Sequence, residues 1–300
     1  MRSRWIITGC RGQLRHALGA LLAARPDCEV AAAGDLPELD IAEGASLASF
    51  LKGLEAPVVV VNAAAMTHVD RCEREPEAAR RANADGPERL AQICQARGFR
   101  LVHVSTDYVF SGVSDRPYRE DDPPAPVSEY GRSKLEGERR VLSGCASALV
   151  VRTSWVFGRG RNFIAAILAQ AEARRRQGDS TPLRVVDDQR GRPTYAADLA
   201  AAMHALVEAG AHGLYHVANR GEATWWEVAR ASLDEAGFAD LAVERIRSED
   251  LSLPAPRPTY SVLDCSKAEA LGVRPRRWRD ALRAFLSSPD SPLAPEGKIA

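Results

Sequence analysis

Tyr130 and Lys134 stand four residues apart in the stretch SEYGRSK (128–134), in a chain with only four lysines. On a helix that spacing sets both side chains on one face. A phenol ordinarily ionises near pH 10, roughly, too high to exchange protons readily at neutral pH. A nearby ammonium stabilises phenolate and lowers that value. A tyrosine tuned in this way can protonate a ketone oxygen as hydride reaches the carbon, or take the proton back in reverse. Upstream, STDYVF (105–110) ends a strand in two hydroxyls, and either Ser105 or Thr106 is placed to hydrogen-bond a substrate carbonyl.

A second constellation follows the first strand. In TGCRGQLR (8–15), Gly9 and Gly12 have the spacing of a strand-to-helix turn that presents backbone N–H groups to a diphosphate. Glycine permits the close approach, and the helix start adds partial positive charge. Arg15 stands where a third glycine would complete the pattern, and Arg11 and Arg15 are near enough to reach a phosphate. At the end of the second strand an acid would bond a ribose 2′-OH, whereas an arginine would accept a 2′-phosphate. AAAGDLPELDI supplies Asp35 and Asp40 with no arginine adjacent in sequence, which leans toward NADH. The small residues of NAAA (62–65) leave room for a flat ligand at a strand's carboxyl end.

Apolar patterning gives the elements that must position these groups. RWIITG (4–9), EVAAAG (29–34), PVVVVNAA (57–64), RLVHVST (100–106) and ALVVRTSWVF (148–157) read as strands. The run at 57–64 is β-branched without alternation, as in a strand covered on both faces. Helical spacing occupies 13–25, 76–98 and 128–142. Repeated β-α-β units predict an α/β fold, a Rossmann-type doubly wound parallel sheet with a smaller C-terminal substrate-binding lobe. In the second half, helices are expected near 162–176, 195–209, 224–236 and 276–286. Short strands are expected at 182–187, 213–217 and 241–246, with an extended Pro-rich loop at 253–260. The dinucleotide-binding domain then covers 1–157, with some segments near 182–217 rejoining it. The lobe covers mainly 158–287, and 288–300 reads as a flexible tail.

Composition narrows the partners. Net charge is zero, with 45 % hydrophobic and 27 % charged residues, which speaks against nucleic acid or an anionic membrane as the main partner. No window of 18 uncharged apolar residues appears, so no membrane span is expected. The first strand begins without a charged-then-apolar leader. The six cysteines are scattered, with no CxxC pair and no zinc-finger spacing. Reduced, structural cysteines in a cytoplasmic protein are the expectation.

Taken together, GxxGQL after the first strand, NAAAxTxVD (62–70), STDYVFSG (105–112), YGxxKLxGE (130–138) and RTSWVFG (152–158) resemble the extended short-chain dehydrogenases, most closely their dTDP-4-dehydrorhamnose reductase family. The likeness continues through DDQRGRPT (187–194), GLYHVAN (213–219) and PAPRPTYSVLD (254–264), to about residue 285. It implies reduction by NADPH or NADH of the C4 ketone of a dTDP-bound 4-keto-6-deoxyhexose. In that pattern Tyr130 is the proton donor, Lys134 its ribose-binding partner, and Thr106 the third catalytic group, with Asp107 beside it in the substrate pocket. Gly9, Gly12, Gln13 and Leu14 would cradle the diphosphate. Asp40 and Ile41 would lie along the adenosine, Asp40 being preferred to Asp35. Ala63, Ala64, Ala65, Met66 and Thr67 would line the cofactor cleft, Met66 standing where relatives often carry His. Trp155 would contact the sugar ring. Arg257, or else Arg190 or Arg192, would meet the substrate diphosphate. Some members are described with Mg²⁺ at a subunit interface; the acid that would hold it is replaced here by Ala17, so no metal is expected. Kinship also suggests a homodimer. Two other readings share the motifs: another nucleotide-deoxysugar 4-ketoreductase, and a catalytically silent dinucleotide-binding subunit like the β subunit of methionine adenosyltransferase. The intact Tyr130, Lys134 and Thr106 set argues against the second.

Overall fold

The computed structural model describes residues 2–9 and 11–294. The apolar runs of the first half become β1 (Ser3–Thr8), β2 (Cys28–Gly34), β3 (Val58–Asn62), β4 (Arg100–Thr106) and β5 (Leu149–Thr153). Gly213–His216, from the second half, joins them at the edge beyond β5. The sheet order is β2-β1-β3-β4-β5 and then Gly213–His216, and every neighbouring pair is parallel. The fold is a Rossmann-like doubly wound sheet. Because the chain passes from β2 back across β1 to β3, strand order reverses between β1 and β3. In open α/β sheets the crevice outside the carboxyl ends at such a reversal is where ligands bind.

The period-2 alternation of strand side chains decides which core each residue joins. Trp5, Ile7, Val102 and Val151 face one core, shared with α1 (Gln13–Ala23) and the helix Ala196–Glu208. Ile6, Leu101 and Val150 face the other, with Leu90 and Val141 from the helices Gly86–Arg97 and Glu129–Gly144. Both faces being covered, the strands need no polar side, which is why VVVV reads as an unbroken run. A separate core of Phe157, Ile164, Leu168, Val185, Val228 and Phe285 lies among the helices Phe163–Gln177, Trp225–Glu235 and Trp278–Leu286. Leu183–Val186 pairs with Val243–Ile246 and stays out of the main sheet. Within the segment expected as a tail, Ser291 is buried, and 295–300 lie outside the described residues.

Two local departures shape the site. The helical region at 76–98 contains a π-helical turn, Arg81–Asp85, between the helices Pro76–Arg80 and Gly86–Arg97. That turn holds Asn83 in full burial; π-turns inside helices recur at functional sites. The strand expected over 148–157 breaks after Thr153. Trp155 has φ +48°, a left-handed conformation that no strand continues. Val156–Phe157 then pairs with Thr194–Tyr195 instead.

Candidate active site

Ser128 caps the helix Glu129–Gly144 by accepting from the Gly131 N–H at 3.3 Å. Tyr130 therefore sits in the first turn and Lys134 one turn on, both directed at β4. The glycines of the YGxxKLxG run make that approach possible: a Cβ at Gly131 would overlap the Tyr108 carbonyl, and one at Gly137 the Asn83 carbonyl. Asn83 in turn accepts from the Met66 N–H at 2.8 Å and donates to the Met66 carbonyl at 3.1 Å and to Ser133 Oγ at 3.0 Å. It ties the loop after β3 to the Tyr130 helix.

Thr106, the last residue of β4, stands near the Tyr130 hydroxyl and pulls its phenol down. It also accepts from the Tyr108 N–H at 3.2 Å and donates to Asp107 Oδ1 at 3.1 Å. The other Asp107 oxygen accepts from the Ser261 hydroxyl at 2.5 Å. Asp107 is thus buried with both oxygens occupied, and burial lifts its carboxyl to about 7 against those hydrogen bonds. Its carboxylate lies beside Thr106, as expected, and also takes Ser261: buried oxygens take the donors that the fold supplies.

Lys134 Nζ donates to the Val104 carbonyl at 2.7 Å and lies 3.5 Å from His103 Nε2. Burial pushes this amine down to about 8. Burial also raises the Tyr130 phenol, Thr106 pulls it down, and Asp107 and Cys72 push it up. The two residues share a helix face, and the buried amine satisfies a hydrogen on the nearest acceptor, a strand-end carbonyl.

The glycine turn expected to cradle a diphosphate follows β1 and packs on the loop after β3. Gly9 has φ +75°, and a Cβ there would come 2.6 Å from the Ala63–Ala64 peptide. Gly12 precedes α1 with no side chain capping the helix and no acid in its first turn. Gln13 Oε1, Ser105 Oγ and Thr153 Oγ1 are buried without a partner among the described residues. Buried polar atoms left open in this way are what a ligand's amides and hydroxyls would satisfy. Ala63, Ala64, Ala65 and Met66 are half-buried and Thr67 is exposed. Leu14 and Ile41 are core residues, 8 % and 6 % exposed. Arg15 runs along α1 toward Gly19.

The acids at this end are redistributed. Asp35, immediately after β2, accepts from the Arg11 N–H of the glycine turn at 3.2 Å. Asp40, the preferred candidate, is held by Arg81 at 2.8 Å, and Arg81 also pairs with Glu43 at 2.6 Å. The sequence places no arginine beside these acids, but the π-turn delivers one from 41 residues away, so the lean toward NADH loses its basis.

On the substrate side, Trp155 stacks on Trp225 with centroids 3.7 Å apart, and Gly191 packs so closely that a Cβ would come 2.6 Å from the indole. Ser154 Oγ donates to the Arg192 carbonyl at 2.7 Å, and the Arg190 N–H to the Thr259 carbonyl at 2.7 Å. Three distant motifs therefore meet at one place. Arg257, the first candidate for the substrate diphosphate, is paired with Asp70 through two hydrogen bonds of 2.7 Å. Arg190 faces Glu222 and Glu227. Among the described residues only Arg192 of the three has no carboxylate partner, and its Nε is buried and unsatisfied. Asn83, His103, Ser261 and Arg81 carried no sequence signal, since each acts through a partner far along the chain.

Comparison with known proteins gives consistent likenesses. The family model described as the RmlD substrate binding domain matches residues 3–290. A dTDP-4-dehydrorhamnose reductase of Streptomyces griseus is 43 % identical over 289 residues, covering 94 % of this chain and 92 % of that protein. A probable dTDP-4,6-dihydroxy-2-methyloxan-3-one 4-ketoreductase of Streptomyces antibioticus is 40 % identical, covering 93 % of each. Among solved structures, a dTDP-4-dehydrorhamnose reductase from Bacillus anthracis in complex with NADP superposes with TM-score 0.86 at 33 % identity, covering 95 % of this chain and 99 % of that one.

Proposed function

The chain belongs to the RmlD substrate binding domain family, and from that premise we propose that it reduces the C4 ketone of dTDP-4-dehydrorhamnose with NADPH or NADH, giving dTDP-L-rhamnose. The relatives named for this reaction support the substrate, and the NADP-bound neighbour supports the cofactor. The observation that carries the chemistry is the Tyr130–Thr106 pair at the end of β4, one strand from the β1/β3 crevice.

A nicotinamide bound in the β1/β3 crevice would supply the hydride that C4 receives. Tyr130 gives its phenolic proton to the ketone oxygen, so that carbon and oxygen each gain one hydrogen and a phenolate remains. Burial keeps the proton on Tyr130 until the substrate oxygen becomes basic. Thr106 then turns its single hydroxyl proton from Asp107 to the phenolate, while the Tyr108 N–H holds its oxygen in place. Lys134 meets the nicotinamide ribose in this reading rather than the phenol. Arg192 is the cation open to the substrate diphosphate, and the Trp155–Trp225 stack walls the sugar pocket. No helix among the described residues is long and apolar enough to cross a membrane. The five described cysteines are buried and free, in keeping with a cytoplasmic enzyme.

The test is purified protein with NADPH and dTDP-4-dehydrorhamnose, following cofactor absorbance and product identity, with a second 4-keto-6-deoxyhexose nucleotide in parallel. Tyr130→Phe is expected to lower kcat by about 10²- to 10⁴-fold while NADPH still binds. A Tyr130→Phe enzyme turning over at the native rate rejects the assignment. Preference for the second sugar nucleotide shifts the reading to the 4-ketoreductase that the Streptomyces antibioticus relative represents.

A further inference from the structure

A buried chain of polar groups runs across three strands and ends at Lys134. The Ala64 N–H donates to Asn62 Oδ1 at 3.2 Å, and Thr8 Oγ1 donates to the same oxygen at 2.6 Å. A backbone N–H can only donate, so the oxygen of the Asn62 amide is fixed on that side. Its NH₂ is thereby turned to His103 Nδ1, 3.0 Å away. An amide NH₂ also only donates, so Nδ1 must carry the lone pair, and the neutral imidazole holds its proton on Nε2. That Nε2–H points at Lys134 Nζ, 3.5 Å off, while Nζ donates to the Val104 carbonyl at 2.7 Å. An ammonium has no lone pair, so it would meet Nε2–H donor against donor. A free amine accepts from Nε2–H and still donates to Val104.

We propose that His103, its tautomer locked by Asn62, is a positioning residue that holds Lys134 in place and favours the uncharged amine. His103 and Asn62 are 0 % and 1 % exposed, so water does not reset these donors. Burial and Lys134 both hold His103 far below its ordinary value, so it stays neutral. Burial pushes Lys134 the same way, to about 8.

The other groups facing the amine do not reverse this. Cys72, on the helix Val69–Arg74, is a neutral thiol pushed up to about 11 by burial. Tyr130 lies one turn before on the same helix, and burial keeps its phenol protonated. Glu138, one turn after, is engaged by Arg152 of β5 through a buried pair at 2.8 and 2.7 Å. Burial and the opposing His103 N–H thus act on Lys134 in the same direction, both from the scaffold beneath the site. This inference rests on the proposed reductase function only for its kinetic consequence: an ammonium offers the nicotinamide ribose one more donor than an amine does, so loss of the Lys134 proton gives the basic limb of the rate.

The test reads Lys134 directly. With four lysines in the chain, Lys52, Lys134, Lys267 and Lys298, ¹³Cε-labelled lysine gives a resolvable NMR titration, Lys134 being assigned by Lys134→Met. His103→Phe removes the opposing N–H without adding charge, and the Lys134 midpoint is expected to rise by about one unit. Asn62→Asp keeps the acceptor for Ala64 and Thr8 but takes a proton from Nδ1. It thereby reverses the tautomer, turns a lone pair on Lys134, and is expected to raise the midpoint as well. In a His103→Phe background the Asn62→Asp shift should shrink; if it persists in full, it is charge alone and the tautomer account fails. An unchanged midpoint in folded His103→Phe, with Lys52 and Lys267 titrating as before, overturns the proposal. Should His103→Phe not fold, His103→Gln is read by the same criterion, since its amide can turn an oxygen to the amine. A shifted midpoint in a protein that reduces no sugar nucleotide would leave this inference standing and reject the reductase reading. Turnover with an unmoved midpoint would do the reverse.

Discussion

The Arg257 guanidinium closes on the Asp70 carboxylate through two parallel hydrogen bonds of 2.7 Å, across 187 residues of sequence. Both side chains are 15 % exposed. Asp70 also accepts from the Ala255 N–H at 3.2 Å. The pair clasps the extended 253–260 loop to the helix that follows the cofactor-side NAAA run, so the loop's position depends on one bidentate contact.

Arg257→Met should therefore lower stability by roughly 1–3 kcal/mol, because it leaves a half-buried carboxylate without its partner. Thermal unfolding at neutral pH measures this. The sign with pH is fixed by Asp70: Arg257, first through its hydrogen bonds, holds that carboxyl below its ordinary value. The stabilisation is present above about pH 4 and is lost as pH falls through the lowered folded-state value. The melting gap between the native protein and Arg257→Met should close in acid; a gap that widens there contradicts the pairing.

Thr106→Val removes the one group that lowers the Tyr130 phenol. Loss of a hydrogen bond to a charged phenolate should cost kcat about 10- to 100-fold. Because both directions cross one transition state, kcat/KM should fall by the same factor for reduction and for oxidation of the product alcohol. Assays in both directions, with NADPH binding measured alongside, check it. A Thr106→Val enzyme turning over at the native rate would reject the role.

Gly191→Ala places a Cβ 2.6 Å from the Trp155 indole. Trp155 is braced on its other contact by Trp225, so the ring or the strand must shift. The expected cost is about 1–3 kcal/mol, with a changed near-UV circular dichroism from the disturbed tryptophan stack. A variant with native spectrum and native melting temperature would contradict the close packing of Gly191 against Trp155.

Arg81→Ala uncovers Asp40 and leaves Glu43 unpaired. Since Asp40 is the acid that the family pattern sets along the adenosine, its freed charge should repel a 2′-phosphate and leave a 2′-OH unharmed. The NADPH-over-NADH ratio of kcat/KM is expected to fall about fivefold, the scale of an exposed ion pair. An unchanged ratio would move the adenosine contact to Asp35, which already caps the glycine turn.

The sequence by itself determined the β-α-β sheet and the register of its glycine turn. It also determined the shared helix face of Tyr130 and Lys134, because each of these depends on residues within one or two turns or strands of each other. VVVV could only be a strand covered on both faces, and GxxG after a strand could only be a close turn before a helix. Tertiary structure alone decided where those side chains send their hydrogen bonds. Lys134 turned to Val104 and His103, Asp107 closed on Ser261 across 154 residues, Asp40 met Arg81, and Arg257 met Asp70. A buried donor or charge takes whichever acceptor the packed chain brings within about 3 Å, and that choice is made by the fold in space, where sequence spacing carries no record of it.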